Sequence, residues 1–273
     1  MELYTNTAYD AARLFTKAYS TSFGLSIRLF ETSLRPHVYA LYGLVRVADE
    51  IVDSYRGADA DQQLAALEQE VAAALKIGYS ANPIVHAFAV TARQFAIGHD
   101  LIDPFFASMR MDTKKTTHYT QKQYETYIYG SAEVIGLMLL KLCTDDATYA
   151  ALAESARRLG AGYQKVNFLR DIAADHSIDR WYFPGCQYET FDEAAKRAIV
   201  LDIKKDFKAA KRALAKLPRQ ARQAIRLSFR YYSELLKKIE ATPAETLRQH
   251  RVRVPDAQKL WLFAKTATEA KKL

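Results

Sequence analysis

GAGYQKVNFLRDIAAD, residues 160–175, decides how the rest of the chain is read. Wound as a helix, it sets Gln164, Asn167, Asp171 and Asp175 on one stripe, at spacings of three, four and four. Most of the remaining circumference is apolar or small: Val166, Phe168, Leu169, Ile172 and Ala173. A polar stripe on such a helix is predicted to line an internal cavity rather than meet bulk water. Buried carboxylates are costly unless positive charge sits between them. Oxygen donors without Cys or His suit a hard cation.

A second stripe answers the first. Between Pro36 and Tyr55, the apolar residues Val38, Leu41, Val45, Ala48, Val52 and Tyr55 recur at spacings of three and four, a buried helix seam. Beside it run Tyr42, Arg46, Asp49 and Asp53, the two carboxylates one turn or roughly 6 Å apart along the axis. Acidic pairs at this spacing also arise by chance. Glu189/Glu193 is one, Asp202/Asp206 among Lys204, Lys205 and Lys208 reads as a solvated face, and Asp175/Asp179 runs past a helix end. The two chosen pairs differ in bordering apolar seams and in having Arg46 and Arg170 close by. On pattern alone they fit either a cation site or a buried salt-bridge network.

The 273 residues contain no Pro/Gly/Ser-rich linker, repeat or low-complexity run, so one domain over 1–273 is expected. Ten Gly and seven Pro suit long helices better than a turn-rich sheet protein. Cys143 and Cys186, with no CxxC, read as reduced thiols of a cytoplasmic protein. The N-terminal MELYTNTAYD lacks the basic and apolar regions of a secretory signal. The longest apolar run, Val134 to Leu140, is far short of a membrane span. The net charge of +8 gathers in 196–238 and 248–253. No nucleic-acid-binding motif accompanies it, so no nucleic acid partner is expected. A solvated basic face, with attraction to an anionic membrane surface, is the reading kept.

The fold expected is all-α, a helical bundle around a central cavity. A first helix over 6–18 is interrupted by the hydroxyls of 19–23, either capping chemistry or a phosphate-binding loop. Ser33 is expected to cap the next helix, which has Pro36 in its first turn and ends near Arg56. Helices follow over 60–76, from Asn82-Pro83 to about Gly98, and from Asp103-Pro104 to about Asp112. After a polar loop (113–120), one helix is expected over 121–142, with Gly130 and Gly136 marking close packing or a kink beside a ligand. Then come the central helix (147–175), an aromatic loop HSIDRWYFPG, basic helices over 191–215 and 218–240, and a last one from Asp256 to Thr268.

The segments YSTSF (19–23), YALYGLVRVADEIVD (39–53), YIYGSAEVIG (127–136), YQKVNFLRDIAAD (163–175) and DRWYFP (179–184), with RVRVP (251–255), resemble the squalene/phytoene synthase family of prenyltransferases. The first acidic motif reads D-E-x-x-D where many relatives have D-D-x-x-D, and Glu133 stands where many carry Gly. The resemblance implies an isoprenoid-synthase-type bundle acting on prenyl diphosphates. It implies Mg²⁺, with Mn²⁺ as a substitute, held by Asp49 and Asp53 on one side and by Asn167, Asp171 and, more indirectly, Asp175 on the other. It implies that Tyr19, Ser20, Thr21, Ser22, Tyr42, Arg46, Gln164 and Arg170 contact diphosphate, and that Tyr129 sits near the reacting carbons. The implied reaction is head-to-head coupling through a cyclopropyl diphosphate.

Three readings follow. The first is a phytoene synthase of carotenoid biosynthesis, joining two geranylgeranyl diphosphates without NADPH. The second is a thirty-carbon synthase using farnesyl diphosphate. The third, from another class, is a non-catalytic helical assembly protein, which would have no need of four cavity-facing carboxylates. The twenty-carbon donor is favoured on the expectation that Ile27, of medium size, lines the far side of the cavity. Oligomeric state is not readable.

Overall fold

The computed structural model describes residues 1–55, 57–114 and 118–270, and in that range every side chain but those of Thr21, Ser22 and Ala270. Arg56 and residues 115–117 of the polar loop therefore lie outside it. Every regular element among the described residues is a helix, with no strand.

Helix α1 (Glu2–Tyr19) stops where Ser20 turns extended, and the Ser20 side chain accepts from Phe23 N at 3.2 Å to cap α2 (Thr21–Ile27). The hydroxyl-rich interruption is thus, at Ser20, a helix cap. Helix α3 (Arg35–Asp49) keeps Pro36 in its first turn, but Leu34, not Ser33, precedes it, with Leu34 N bonded to Glu31 O. The expected single helix to residue 56 instead passes into a π-helical turn, Glu50–Tyr55, which carries Asp53. Wide turns of this kind recur at functional sites. Here Val52 O accepts from Arg180 Nη2 at 2.7 Å.

Helix α4 (Ala60–Ile77) ends at Gly78, whose φ of 79° is the left-handed C-terminal stop that glycine favours. Asn82 Oδ1 caps α5 (Pro83–Gln94), which ends before the expected Gly98. Pro104 does not open the next helix; α6 (His99–Asp112) carries it inside. The capping box of Thr120 and Gln123 starts α7 (Gln121–Ile128). The expected helix over 121–142 is split by a second π turn, Tyr129–Glu133, before α8 (Val134–Lys141). Asp145 caps α9 (Asp146–His176), 31 residues long. The chain ends with α10 (Glu193–Ala213), α11 (Arg219–Ala241), the short α12 (Ala244–Leu247) and α13 (Asp256–Ala270).

Helix α9 is the axis, packed by α8, α10, α11, α12 and the second π turn. Its contact with that turn is backbone-close, since a Cβ on Gly160 would strike Ala132 O, and the turn meets α6 as closely, since one on Gly130 would strike Pro104 O. A glycine inside a helix costs about 1 kcal/mol relative to Ala, and close approach is the return for it. Of the pair expected on a solvated face, Asp202 is half exposed but Asp206 is not. Asp206 is buried and takes Lys165 of α9 at 2.7 Å and Arg158 at 3.3 Å, and Asp202 also bonds Lys165. A buried ammonium on the back of α9 needs that compensation, which lets the helix turn its other polar stripe inward. Glu133 is bonded by Arg157 Nε at 2.7 Å, and that guanidinium covers the Tyr129 ring.

Candidate active site

Both acidic stripes face one cavity of about 830 Å³. Its polar end takes Asp49 and Asp53 from α3 and the first π turn, and Asn167, Asp171 and Asp175 from α9. Tyr19, Ser20, Tyr42, Arg46, Gln164 and Arg170 line the same space. Thr21 and Ser22 fall outside the described side chains. The rest is largely apolar, running past Phe30, Val38, Leu41 and Phe105 to Leu140, Leu214 and Leu217.

Tyr129 does not line the cavity. Tyr127 and Ser131 do, and a residue two positions from each lies roughly on the opposite side of the helix at about 100° per residue. Ile27 is likewise absent from the wall: it is fully buried in the core, while Ser26 and Phe30 take the inward positions.

The cations are unevenly shared. Arg170 holds Asp171 through Nε and Nη2, at 3.0 and 2.5 Å. Arg251, from the RVRVP segment, reaches the same carboxylate through Nε at 2.7 Å. Arg180 bonds Asp53 at 2.5 Å. Arg46 is bonded to Glu50 and lies 3.8 Å from Asp49, and its Nε is buried without a hydrogen-bond partner. Among the described residues, Asp175 has no bonded cation.

The electrostatics follow that distribution. Burial first, then the neighbouring Asp53, raises the Asp49 carboxyl from 3.8 to about 7, against the pull of Arg46. Burial and then Asp171 raise Asp175 to about 8. These two carboxyls have the environment of groups that lack a counter-ion. Among the described residues, no three acidic, His or Cys side chains cluster closely enough to hold an ion alone. Two opposed, under-compensated carboxyls and an orphaned guanidinium Nε suit a cation that brings phosphate oxygens and water as further ligands.

Sequence reasoning missed a second tier. Asp112, at the end of α6, lines the cavity and accepts from Tyr127 and Tyr182 hydroxyls at 2.5 and 3.0 Å. Burial lifts it to about 6 in spite of Arg180. Arg180 ties this group to Asp53, and also donates to Val52 O and Asp112 O. Tyr163 and Tyr232 stack at 3.8 Å on the wall, and Tyr232 donates to Asn167 Oδ1 at 3.3 Å. The DRWYFP and RVRVP segments were the visible signals for Arg180, Tyr182 and Arg251.

An all-α cavity with carboxylates on two facing helices and largely apolar walls elsewhere suits a molecule with an anionic head and a hydrocarbon tail. The squalene/phytoene synthase family matches residues 16–258, and the chain belongs to that family of head-to-head prenyltransferases. Similar proteins include a chloroplastic phytoene synthase of an Oncidium hybrid cultivar, 26% identical over 93% of this chain and 66% of its own length. A 15-cis-phytoene synthase of Synechococcus elongatus is 26% identical over 93% and 90%. A ligand-bound dehydrosqualene synthase crystal structure shares the fold, with a TM-score of 0.84, 20% identity and 98% of both chains covered.

Proposed function

We propose that this chain joins two prenyl diphosphates head to head through a cyclopropyl diphosphate. The observation that carries this is the placing of both acidic pairs and their arginines at one end of a single, otherwise apolar cavity. Asp49 and Asp53 would hold Mg²⁺ on one side, and Asn167, Asp171 and Asp175 on the other. When bound, the metal neutralises the diphosphate leaving group and so assists its departure. Arg46, Arg170 and Gln164, which line the same space, orient the diphosphate. The allylic cation left behind meets the faces of Tyr163, Tyr232 and Phe168 rather than water. The second donor's double bond attacks it, losing a proton on closure of the three-membered ring. A second ionisation releases the second diphosphate, and the rearranged cation is discharged by proton loss, or by hydride from NADPH where that is supplied.

For donor length, the fifteen-carbon reading takes precedence. It is supported by likeness to the dehydrosqualene synthase structure and by Phe30, an aromatic on the wall where Ile27 was expected. The twenty-carbon reading is supported by the phytoene synthases among the sequence relatives. Product analysis with farnesyl and geranylgeranyl diphosphates, with Mg²⁺ and with or without NADPH, tests both. No coupled product from either donor would overturn the proposal. Phe30→Ala should raise the ratio of kcat/KM for the longer over the shorter donor at least about tenfold, the worth of a methylene or more of apolar pocket. An unchanged ratio would remove Phe30 as a length stop.

Metal binding should depend on pH through Asp49 and Asp175. Both bind a proton more tightly folded than unfolded, so each lowers stability as pH rises from about 4 to about 7 or 8. A cation needs them ionised and relieves that cost. Mg²⁺ with inorganic pyrophosphate should therefore raise Tm by several degrees more at pH 8 than at pH 6. The pH difference should shrink in Asp175→Asn; if it does not, Asp175 is no part of the site.

A further inference from the structure

We infer that the outer face of α13 is a docking surface for an anionic lipid bilayer. This rests on the proposed use of lipid diphosphates, and it names the face of the protein that meets them.

Helix α13 has two apolar sides. The inner one is spent: Leu262 is buried with Leu227 and Tyr231, packed by Leu29 and Phe263. The outer one is open, with Leu260 56% and Trp261 58% exposed, and the exposed Ala257 and Ala264 on the same stripe. Large apolar side chains placed together in this way call for a partner.

Charge selects its kind. The two carboxylates of α13 are both engaged, Asp256 by Lys259 at 2.9 Å and Glu269 by Arg230 at 2.6 Å. Lys265 sits over the Trp261 ring, its Nζ 4.9 Å from the centroid, and Arg253 is exposed just before the helix. A Trp and Leu pair flanked by the cations Lys265 and Arg253 fits the headgroup level of a membrane, where the indole sits at the boundary and the lysine stem reaches back to water. A chain of net charge +8 is drawn to an anionic surface as a whole. Position agrees with use. α13 packs on α11 and α2, whose own inner residues, including Tyr232, Ile225 and Phe23, form the cavity wall. The bilayer would lie one helix layer from the place where the prenyl chains are held.

The two tryptophans make the test direct. Trp181 is buried, and its Nε1 donates to Phe183 O and Cys186 O, so emission changes on binding report Trp261. The full chain, without substrate, is mixed with phosphatidylcholine vesicles with or without phosphatidylserine, at low and high salt. Expected are flotation and a blue shift with anionic vesicles at low salt, both weakened by high salt. Trp261→Phe should abolish the shift and keep most binding. Leu260→Ser/Trp261→Ser should weaken partitioning about tenfold or more, with Tm unchanged. Flotation unaffected by that double change, or a missing blue shift, would overturn the assignment. So would a wild-type dimer that the double change converts to monomer, since the face then belongs to a second copy. Vesicle binding through α13 without prenyl coupling would leave the docking face standing and remove the reaction.

Discussion

Asp49→Asn and Asp171→Asn should each cost about 10³-fold in turnover, because each removes a carboxylate from one wall of the proposed cation site. Charge neutralisation of a leaving group by metal supplies several kcal/mol, and each 1.36 kcal/mol is a factor of ten in rate. The two variants should differ in stability. Asp49 is held with a carboxyl raised to about 7, so at pH 8 without metal its ionised form works against folding. Asp49→Asn should therefore match or exceed the wild type in Tm at pH 8, and lose that advantage at pH 5, where the carboxyl is protonated in the fold. Asp171 is different. It accepts from both Arg170 and Arg251, and its neutralisation leaves two guanidiniums without the carboxylate they share. Asp171→Asn should give no gain in Tm at either pH. Turnover and thermal melts at the two pH values check both statements. Near-normal turnover in a well-folded Asp49→Asn would make the first acidic pair a structural network instead.

How far the chain could be read from its residues differs from element to element. Helix starts were legible in part because their chemistry is local: Asn82-Pro83 opens α5 as expected, while Ser33, expected to cap α3, gives way to Leu34. The acidic stripes were legible for the same reason, since helical periodicity alone puts Asp171 and Asp175 on one line with Asn167. The π turns were not. Their composition matches that of an α-helix, and they are accompanied by distant contacts: Arg180 on Val52 O, and α6 against Gly130. Tyr129, placed near the reacting carbons by the family resemblance, packs under Arg157 instead. Asp206 looked solvated among lysines because its partner Lys165 is 41 residues away along the chain. Ile27 and Phe30 are separated by less than a turn, and which of them faces inward depends on how α2 seats against its neighbours rather than on either side chain.

Arg180→Met should lower Tm by roughly 6–15 °C at pH 8, the equivalent of the 3–5 kcal/mol that breaking one side of a buried ion pair costs. Arg180 is 7% exposed, donates to the Asp53 carboxylate, Val52 O and Asp112 O, and lies 3.9 Å from the Asp112 carboxylate. Methionine fills the volume but leaves the three acceptors without that donor and the Asp112 carboxylate without a nearby cation. Arg180→Lys keeps the charge but cannot fork to reach them together, so it should recover only part of the loss. The dependence on pH identifies the cause. Asp112 is raised by burial to about 6 even with Arg180 beside it. At pH 5 most of it is protonated in the fold and needs little from a cation; at pH 8 it is ionised and depends on one. The Tm deficit of Arg180→Met should therefore be clearly smaller at pH 5 than at pH 8. Adding Asp112→Asn should close part of the deficit at pH 8, since an amide still pairs with the Tyr127 and Tyr182 hydroxyls and carries no charge. A deficit that is equal at both pH values, and unchanged by Asp112→Asn, would mean that Arg180 acts through its two backbone carbonyls alone. The link between the first acidic motif and α6 would then be one of shape, not charge.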